Sequence, residues 1–168
     1  MSQFIRRRAK RRAGQALLEF TMVIPVFFLL LVGIIDFGRI GLYFVASTDL
    51  ARSGARYATN YNNGAGFSNA EVVAYVKQQA QGLAMANLTQ ASCAPATPPK
   101  PITSATASCY KPSVGNAYIF IDRGTPSSVT VSIVYAFEAT TPMVRTFFPT
   151  YYLESSASMS TNIRALSE

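Results

Sequence analysis

Sixteen consecutive uncharged residues, Phe20 to Ile35, separate Glu19 from Asp36, and most of them are large and apolar. At 1.5 Å per residue the run makes about 24 Å of helix, a little short of a hydrocarbon core of about 30 Å. Ala16, Leu17 and Leu18 lengthen it on one side, and Phe37 to Ala46 stay largely apolar on the other. The pattern predicts a single transmembrane helix over 15–46 that continues as an amphipathic rod to about Tyr57 or Ala58. Pro25 lies mid-segment, where its missing N–H bends or loosens the helix. Asp36 and Arg39, three apart on one helix face, read as the exit from lipid. Arg52 and Arg56, four apart, read as a solvated stripe, and the Asn/Gly chemistry of 60–66 ends the rod.

Downstream the period changes. Ser68 and Glu71 form a capping box, and Val72, Val76, Ala80 and Leu83 follow at helical spacing, with Val73 and Ala84 widening the stripe. A second helix of about twenty residues is expected there. From Thr89 to Asn116 five prolines and many small residues predict a loop. Residues 118–121 read as a short strand. Val129, Val131, Ile133, Tyr135 and Phe137 then alternate with mostly polar neighbours, as do Tyr151, Leu153, Ser155, Ala157, Met159 and Ile163. The expected class is α+β: a long N-terminal helix, a second helix and a three-stranded antiparallel sheet. Between the two long strands, Met143, Val144, Phe147 and Phe148 lie in a Pro-bounded connection. They form either an exposed patch or a segment folded back on the sheet edge.

Charge changes the picture only at the start of the chain. Of 168 residues 49% are hydrophobic and 14% charged, and the formal net charge is +7. Six of the fifteen basic residues lie in the first fourteen positions, with no Asp or Glu among them; thereafter nine basic residues face eight acidic ones. The basicity belongs to a terminal tag, so no nucleic-acid partner is expected. The chain has no His, two Cys and scattered carboxylates. His-based catalysis and metal sites are thereby excluded, and two Cys fall short of a Cys-only zinc site. No catalytic residue, metal ligand or cofactor is nominated, and the chain is not expected to be an enzyme.

The basic flank keeps the N-terminus in the cytoplasm and places everything after about Asp36 outside the inner membrane. A cleaved signal peptide is the rival reading, but the apolar run exceeds the usual 7–15 residues and the nearest weak cleavage site is Val45-Ala46-Ser47. In an oxidising location Cys93 and Cys109, sixteen apart, are free to form a disulfide that staples the Pro-rich loop; two free thiols are the alternative.

A basic leader ending in Gly14, then Gln15-Ala16-Leu17-Leu18-Glu19-Phe20 and an apolar helix, resembles the type IV pilin and pseudopilin signature. With Val23-Ile24-Pro25, Gly33-Ile34-Ile35-Asp36-Phe37-Gly38-Arg39 and Ala51-Arg52-Ser53-Gly54-Ala55-Arg56-Tyr57-Ala58, it is similar to the TadE-like minor pseudopilins of tight-adherence (Tad/Flp) pilus systems. The resemblance implies a leader, 1–14, removed by a prepilin peptidase between Gly14 and Gln15. It also implies that 47–168 form an extracytoplasmic pilin-like domain, and that Glu19 neutralises the amino terminus of a neighbouring subunit and sets its register. Gln15 departs from the Phe of major pilins, and its cyclisation would remove the positive charge that Glu19 needs.

The function this implies is structural. The chain is expected in the inner membrane, single-pass, as a minor pseudopilin taking part in assembly of an adhesive pilus. Expected partners are the prepilin peptidase, other pilins or pseudopilins, the inner-membrane assembly platform and the lipid bilayer. The competing reading is an unprocessed, membrane-anchored extracytoplasmic binding module.

Overall fold

The run of good helix formers from the leader through the apolar segment meets no turn chemistry before Asn60. In a computed structural model the helix α1 accordingly spans Ser2–Thr59, with Pro25 inside it. The structure describes residues 2–62, 65–82, 85, 87–103, 105–125, 128–147 and 149–160. It divides into two compact units, Met1–Gly38 and Arg39–Glu168. The first consists of the N-terminal part of α1. In the second, its remaining turns are the central support of an α+β fold.

From Tyr43 onward α1 buries one stripe: Tyr43, Ala46, Ser47, Leu50, Ala51, Ala55 and Ala58. The spacing is that of one helical face, and most of its residues are small. Opposite them, Asp49, Arg52 and Arg56 are exposed, the solvated stripe the sequence predicts. The last turn tightens where Asn60 N–H donates to the Tyr57 carbonyl at 3.2 Å. A two-residue antiparallel ladder, β1 (Tyr61–Asn62) with β2 (Ala65–Gly66), reverses the chain.

The second helix, α2, spans Asn69–Ala80. Its capping box is complete: Ser68 Oγ accepts from Glu71 N–H, and Ser68 N–H donates to Glu71 Oε2 at 2.7 Å. Glu71 Oε2 also accepts from the Ser68 hydroxyl at 2.7 Å, and this bond, with the one from Ser68 N–H, holds the Glu71 carboxyl below its usual range. Val72, Val73, Val76 and Ala80 are buried, as their spacing requires. The helix is twelve residues long, not about twenty. It stops at Gln81-Gly82 because the following chain has another use: Met85 is buried in the core and Leu88–Gln90 form a strand, β3. Leu83 and Ala84 lie outside the described residues.

That strand corrects the expected sheet. Four strands, not three, run in the order β3-β4-β5-β6, where β4 is Ala117–Thr125, β5 is Ser128–Phe137 and β6 is Tyr151–Ser160. β3 is parallel to β4 (Leu88 opposite Ala117), and the other pairings are antiparallel, so the sheet is mixed. Leu88 and the first two residues of the expected loop, Thr89 and Gln90, thus cover an edge of β4. The Asp122 side chain accepts from Gly124 N–H at 2.7 Å beside a register shift, and β4 runs on to Thr125, past the expected short strand at 118–121. Ile163 lies outside the described residues.

Alternation in β4 and β5 sends Ala117, Ile119, Ile121, Val129, Val131, Ile133, Tyr135 and Phe137 to the α1/α2 side. The other face is not solvated either. Phe120 and Val134 are buried with Tyr110, packed by Ala91, Cys93, Ile102, Tyr118 and Tyr152. The Pro-rich segment therefore lies over the sheet and makes a second, smaller core, which is why β5 is buried on both faces for most of its length.

The connection after β5 contains a short helix, α3 (Pro142–Phe147). Val144 packs back on the main core, while Arg145 stays exposed and pairs with Glu138. Phe148 lies outside the described residues.

Two stability experiments follow. A Cβ added at Gly54 would lie 2.8 Å from Val76 Cγ2 and 3.4 Å from Val131 Cγ1, so Gly54→Val is expected to destabilise the sheet-bearing unit by about 1–3 kcal/mol. Thermal melts in detergent check this, and an unchanged midpoint would refute the close approach. The Glu71 pKa is lowered on folding, so its contribution is present above the ordinary carboxyl pKa of 4.5 and lost as pH falls through the lower folded value. Glu71→Gln should melt earlier than the parent at neutral pH, with the gap closing in acid.

Candidate functional site

At the N-terminal end of the described side chains, Gly14 to Phe20 are all exposed on α1. Gln15 and Glu19 are one turn apart, and the Gln15 amide donates to Glu19 Oε1 at 3.5 Å. Nothing lies within 4 Å of a Cβ placed on Gly14. Thr21 Oγ1 donates to the Leu17 carbonyl at 2.7 Å, four residues before the turn that Pro25 deprives of an N–H. From Leu17 to Ile35 the large apolar side chains are overwhelmingly exposed, among them Leu18, Phe20, Met22 and Val26 to Leu30. The helix from Gly14 onward is long and apolar enough to cross a membrane.

Asp36 is 3% exposed.

Within the sheet-bearing unit, Arg39 is held by protein groups. Its guanidinium donates to Thr140 Oγ1 and lies 5.5 Å from the Phe137 ring centroid and 5.9 Å from that of Tyr43. Tyr43 stacks on Tyr135 at 4.7 Å. Burial, seconded by the adjacent Tyr43 phenol, pushes the Tyr135 hydroxyl up to about 12, so it stays neutral. One turn further, Ser47 and Ser155 share a hydrogen bond of 2.7 Å in a buried position, and Thr48 Oγ1 is 3.1 Å from Ser155. Ser47 Oγ and Thr48 Oγ1 both also reach the Phe44 carbonyl, at 2.9 and 2.8 Å. The bonds to Ser155 tie α1 to β6.

Cys93 and Cys109 are joined by a disulfide with Cα atoms 6.0 Å apart, and Cys93 packs into the smaller core. The bridge lies far in sequence from the helix and braces the segment covering the sheet. Beside β6 a trough of about 620 Å³ is lined by Phe44, Pro101, Ile102, Tyr151 and Leu153, with Lys100 and Glu154 at its side. Lys100 Nζ is 3.3 Å from Glu154 Oε1 and donates to Ser156. Burial pushes the Glu154 carboxyl up, with Lys100 pulling the other way. Among the described residues no cluster of three or more His, Cys, Asp or Glu could hold a metal ion.

The candidate site is therefore the helix itself. Residues 14–56 match the family model of TadE-like protein. Over this stretch the chain is similar to TadE-like proteins. The match starts at Gly14 and ends three residues before α1 does, spanning the apolar segment and most of the stripe buried under the sheet. No curated protein and no solved structure matches the chain.

Sequence reasoning singled out Gly14, Gln15 and Glu19 within the TadE-like helix, and the structure places them together on its exposed N-terminal turns. It missed the setting of Arg39 and the Ser47–Ser155 bond. Partners 101 and 108 residues away leave no local signal. Ser47→Ala is expected to lower stability by about 1 kcal/mol, and a cycle with Ser155→Ala should show coupling of about 0.5–1.5 kcal/mol. Strictly additive effects on the melting midpoint would show that the two hydroxyls do not hold α1 to β6.

Proposed function

We propose that this chain is a structural pseudopilin of a Tad/Flp-type pilus, anchored in the inner membrane by α1 and taking part in pilus assembly after prepilin peptidase removes residues 1–14. One observation carries the reading: the TadE-like match begins at Gly14 and runs along a helix whose apolar side chains are exposed from Leu17 to Ile35. Such a surface is stable in lipid or against other apolar helices, and unstable in water.

In this reading the cut falls between Gly14 and Gln15, and the basic leader holds that bond at the cytoplasmic face. Gly14 is the poorest helix former of its turn, which lowers the cost of opening the helix for the peptidase. The cut frees the amino group of Gln15, one turn from Glu19. A neighbouring subunit's terminal ammonium against this carboxylate offsets the cost of holding either charge in a low dielectric, and sets the axial offset between helices. The proposed role is to be a peptidase substrate and a packing unit, with no catalysis. Other pilins and the inner-membrane assembly platform are its partners.

Intact mass of the membrane-purified protein, with and without co-expressed prepilin peptidase, tests the reading. The expected result is loss of Met1–Gly14 only with the peptidase. Full length in both samples would leave the unprocessed anchored module as the account. Glu19→Gln should abolish incorporation into pili while leaving membrane insertion intact.

A further inference from the structure

The sheet ends at β6, so on its outer side the N–H and C=O groups of alternate residues face no further strand among the described residues. A long edge of this kind is ordinarily blunted by a proline, a lysine or a bulge. β6 has none of these. Its residues, Tyr151 to Ser160, include no Pro, Lys or Arg, and they pair with β5 in one unbroken register. The single charge on the strand, Glu154, is withdrawn, with its side chain 7% exposed.

The trough of about 620 Å³ lies along the first half of that edge, lined by Thr150 to Glu154. Phe44 of α1 borders it from the face of the main core, and Pro101 and Ile102 border it from the face of the smaller one. The space therefore opens between two layers beside an unpaired strand edge. A further strand of the sheet would lie there, about 4.8 Å from β6.

Glu154 limits the chemistry of such a strand. Its Oε1 is buried and accepts no hydrogen bond. Lys100 Nζ stands 3.3 Å from it and gives its hydrogen bond to Ser156 Oγ, at 2.6 Å. A buried acceptor without a donor costs free energy, and a ligand that brings the donor recovers it. Lys100 already balances the charge of the carboxylate, so the missing donor is a neutral one, an amide or a hydroxyl.

We propose that the trough is a docking groove for an extended segment of a partner protein, which adds to β6 as a fifth strand. Apolar side chains at alternate positions meet Phe44 and Leu153 on one face, and a neutral donor meets Glu154 on the other. Main-chain hydrogen bonds supply the affinity, and Glu154 supplies the selection. The sheet's other edge strand, β3, is three residues long, shorter than the stretch of β6 that lines the trough. The occupant is accordingly a chain of different sequence and not a second copy. The proposal goes beyond the pseudopilin reading and does not depend on cleavage after Gly14.

The test uses the full chain, oxidised and purified in detergent. The probe is a fluorescein-labelled peptide with valine at alternate positions, alanine between them, one central glutamine and a lysine at each end. Anisotropy should show saturable binding that falls several-fold when leucine or glutamate replaces the glutamine. The preference for glutamine over leucine should vanish in Glu154→Leu, and every peptide should bind more weakly to Phe44→Ser. Phe44 is exposed on α1, so Phe44→Ser keeps the fold even where Glu154→Leu does not. Of two peptides methylated at alternate backbone nitrogens, odd or even, one should lose binding altogether.

No binding at any soluble peptide concentration overturns the proposal. Binding that survives both methylation patterns also overturns it, since the trough would then take side chains without strand pairing. Equal binding to the parent, Glu154→Leu and Phe44→Ser would place the contact elsewhere on the chain. Self-association of the chain alone, reversed by Phe44→Ser, would make a second copy the occupant and sink the assignment to a different partner.

Discussion

Everything in the sheet-bearing unit depends on how closely α1 approaches its neighbours. The stripe from Ala46 to Ala58 is made largely of small residues, and at Gly54 there is no room for a Cβ beside Val76. A narrow helix surface lets the backbone come close enough for Val131 to touch it and for α2 to pack alongside. The side chains that fill the space come from the sheet and from α2, as Val72, Val76, Val131 and Ile133. Larger residues on α1 would separate the layers and leave voids around those valines. The composition of α1 changes along its length: bulky apolar side chains stand exposed from Leu17 to Ile35, and mostly small ones line the stripe the sheet covers.

The ends of that interface are secured by polar and aromatic contacts. Ser47 and Ser155 exchange a buried hydrogen bond, while Tyr57 stacks between Phe67 and Tyr75 at 4.3 and 4.2 Å. Arg123 donates to Asn69 Oδ1 and the Phe67 carbonyl, which ties the end of β4 to the start of α2. Aromatic stacking adds modestly to area burial and fixes orientation. These contacts determine where α1 lies along the sheet.

The far face of the sheet is closed by a segment with little regular structure. Its prolines restrict the open chain and so reduce the entropy lost on ordering it. The disulfide acts in the same direction by closing a loop of sixteen residues. A small domain with one helix layer gains a second core by this route. The trough beside β6 is bordered by the same segment, so its shape depends on both the prolines and the bridge.

Much of this was legible without coordinates. The long helix, its end near Ala58, the capping box at Ser68 and the two long strands all follow from local rules: apolar period, cap chemistry and alternation act over a few residues and are written there. The Gly14–Glu19 signature is equally local, and the TadE-like match over 14–56 is carried by it and the helix that follows. What tertiary structure decided is non-local. Whether Leu88–Gln90 is loop or strand depended on β4 having an open edge, and the length of α2 depended on Met85 and Leu88 being needed in the core. The partners of Arg39, Thr140 and Phe137, come from about a hundred residues away and leave no local signal. Periodicity specifies an element and the face it buries, but only packing specifies what covers that face.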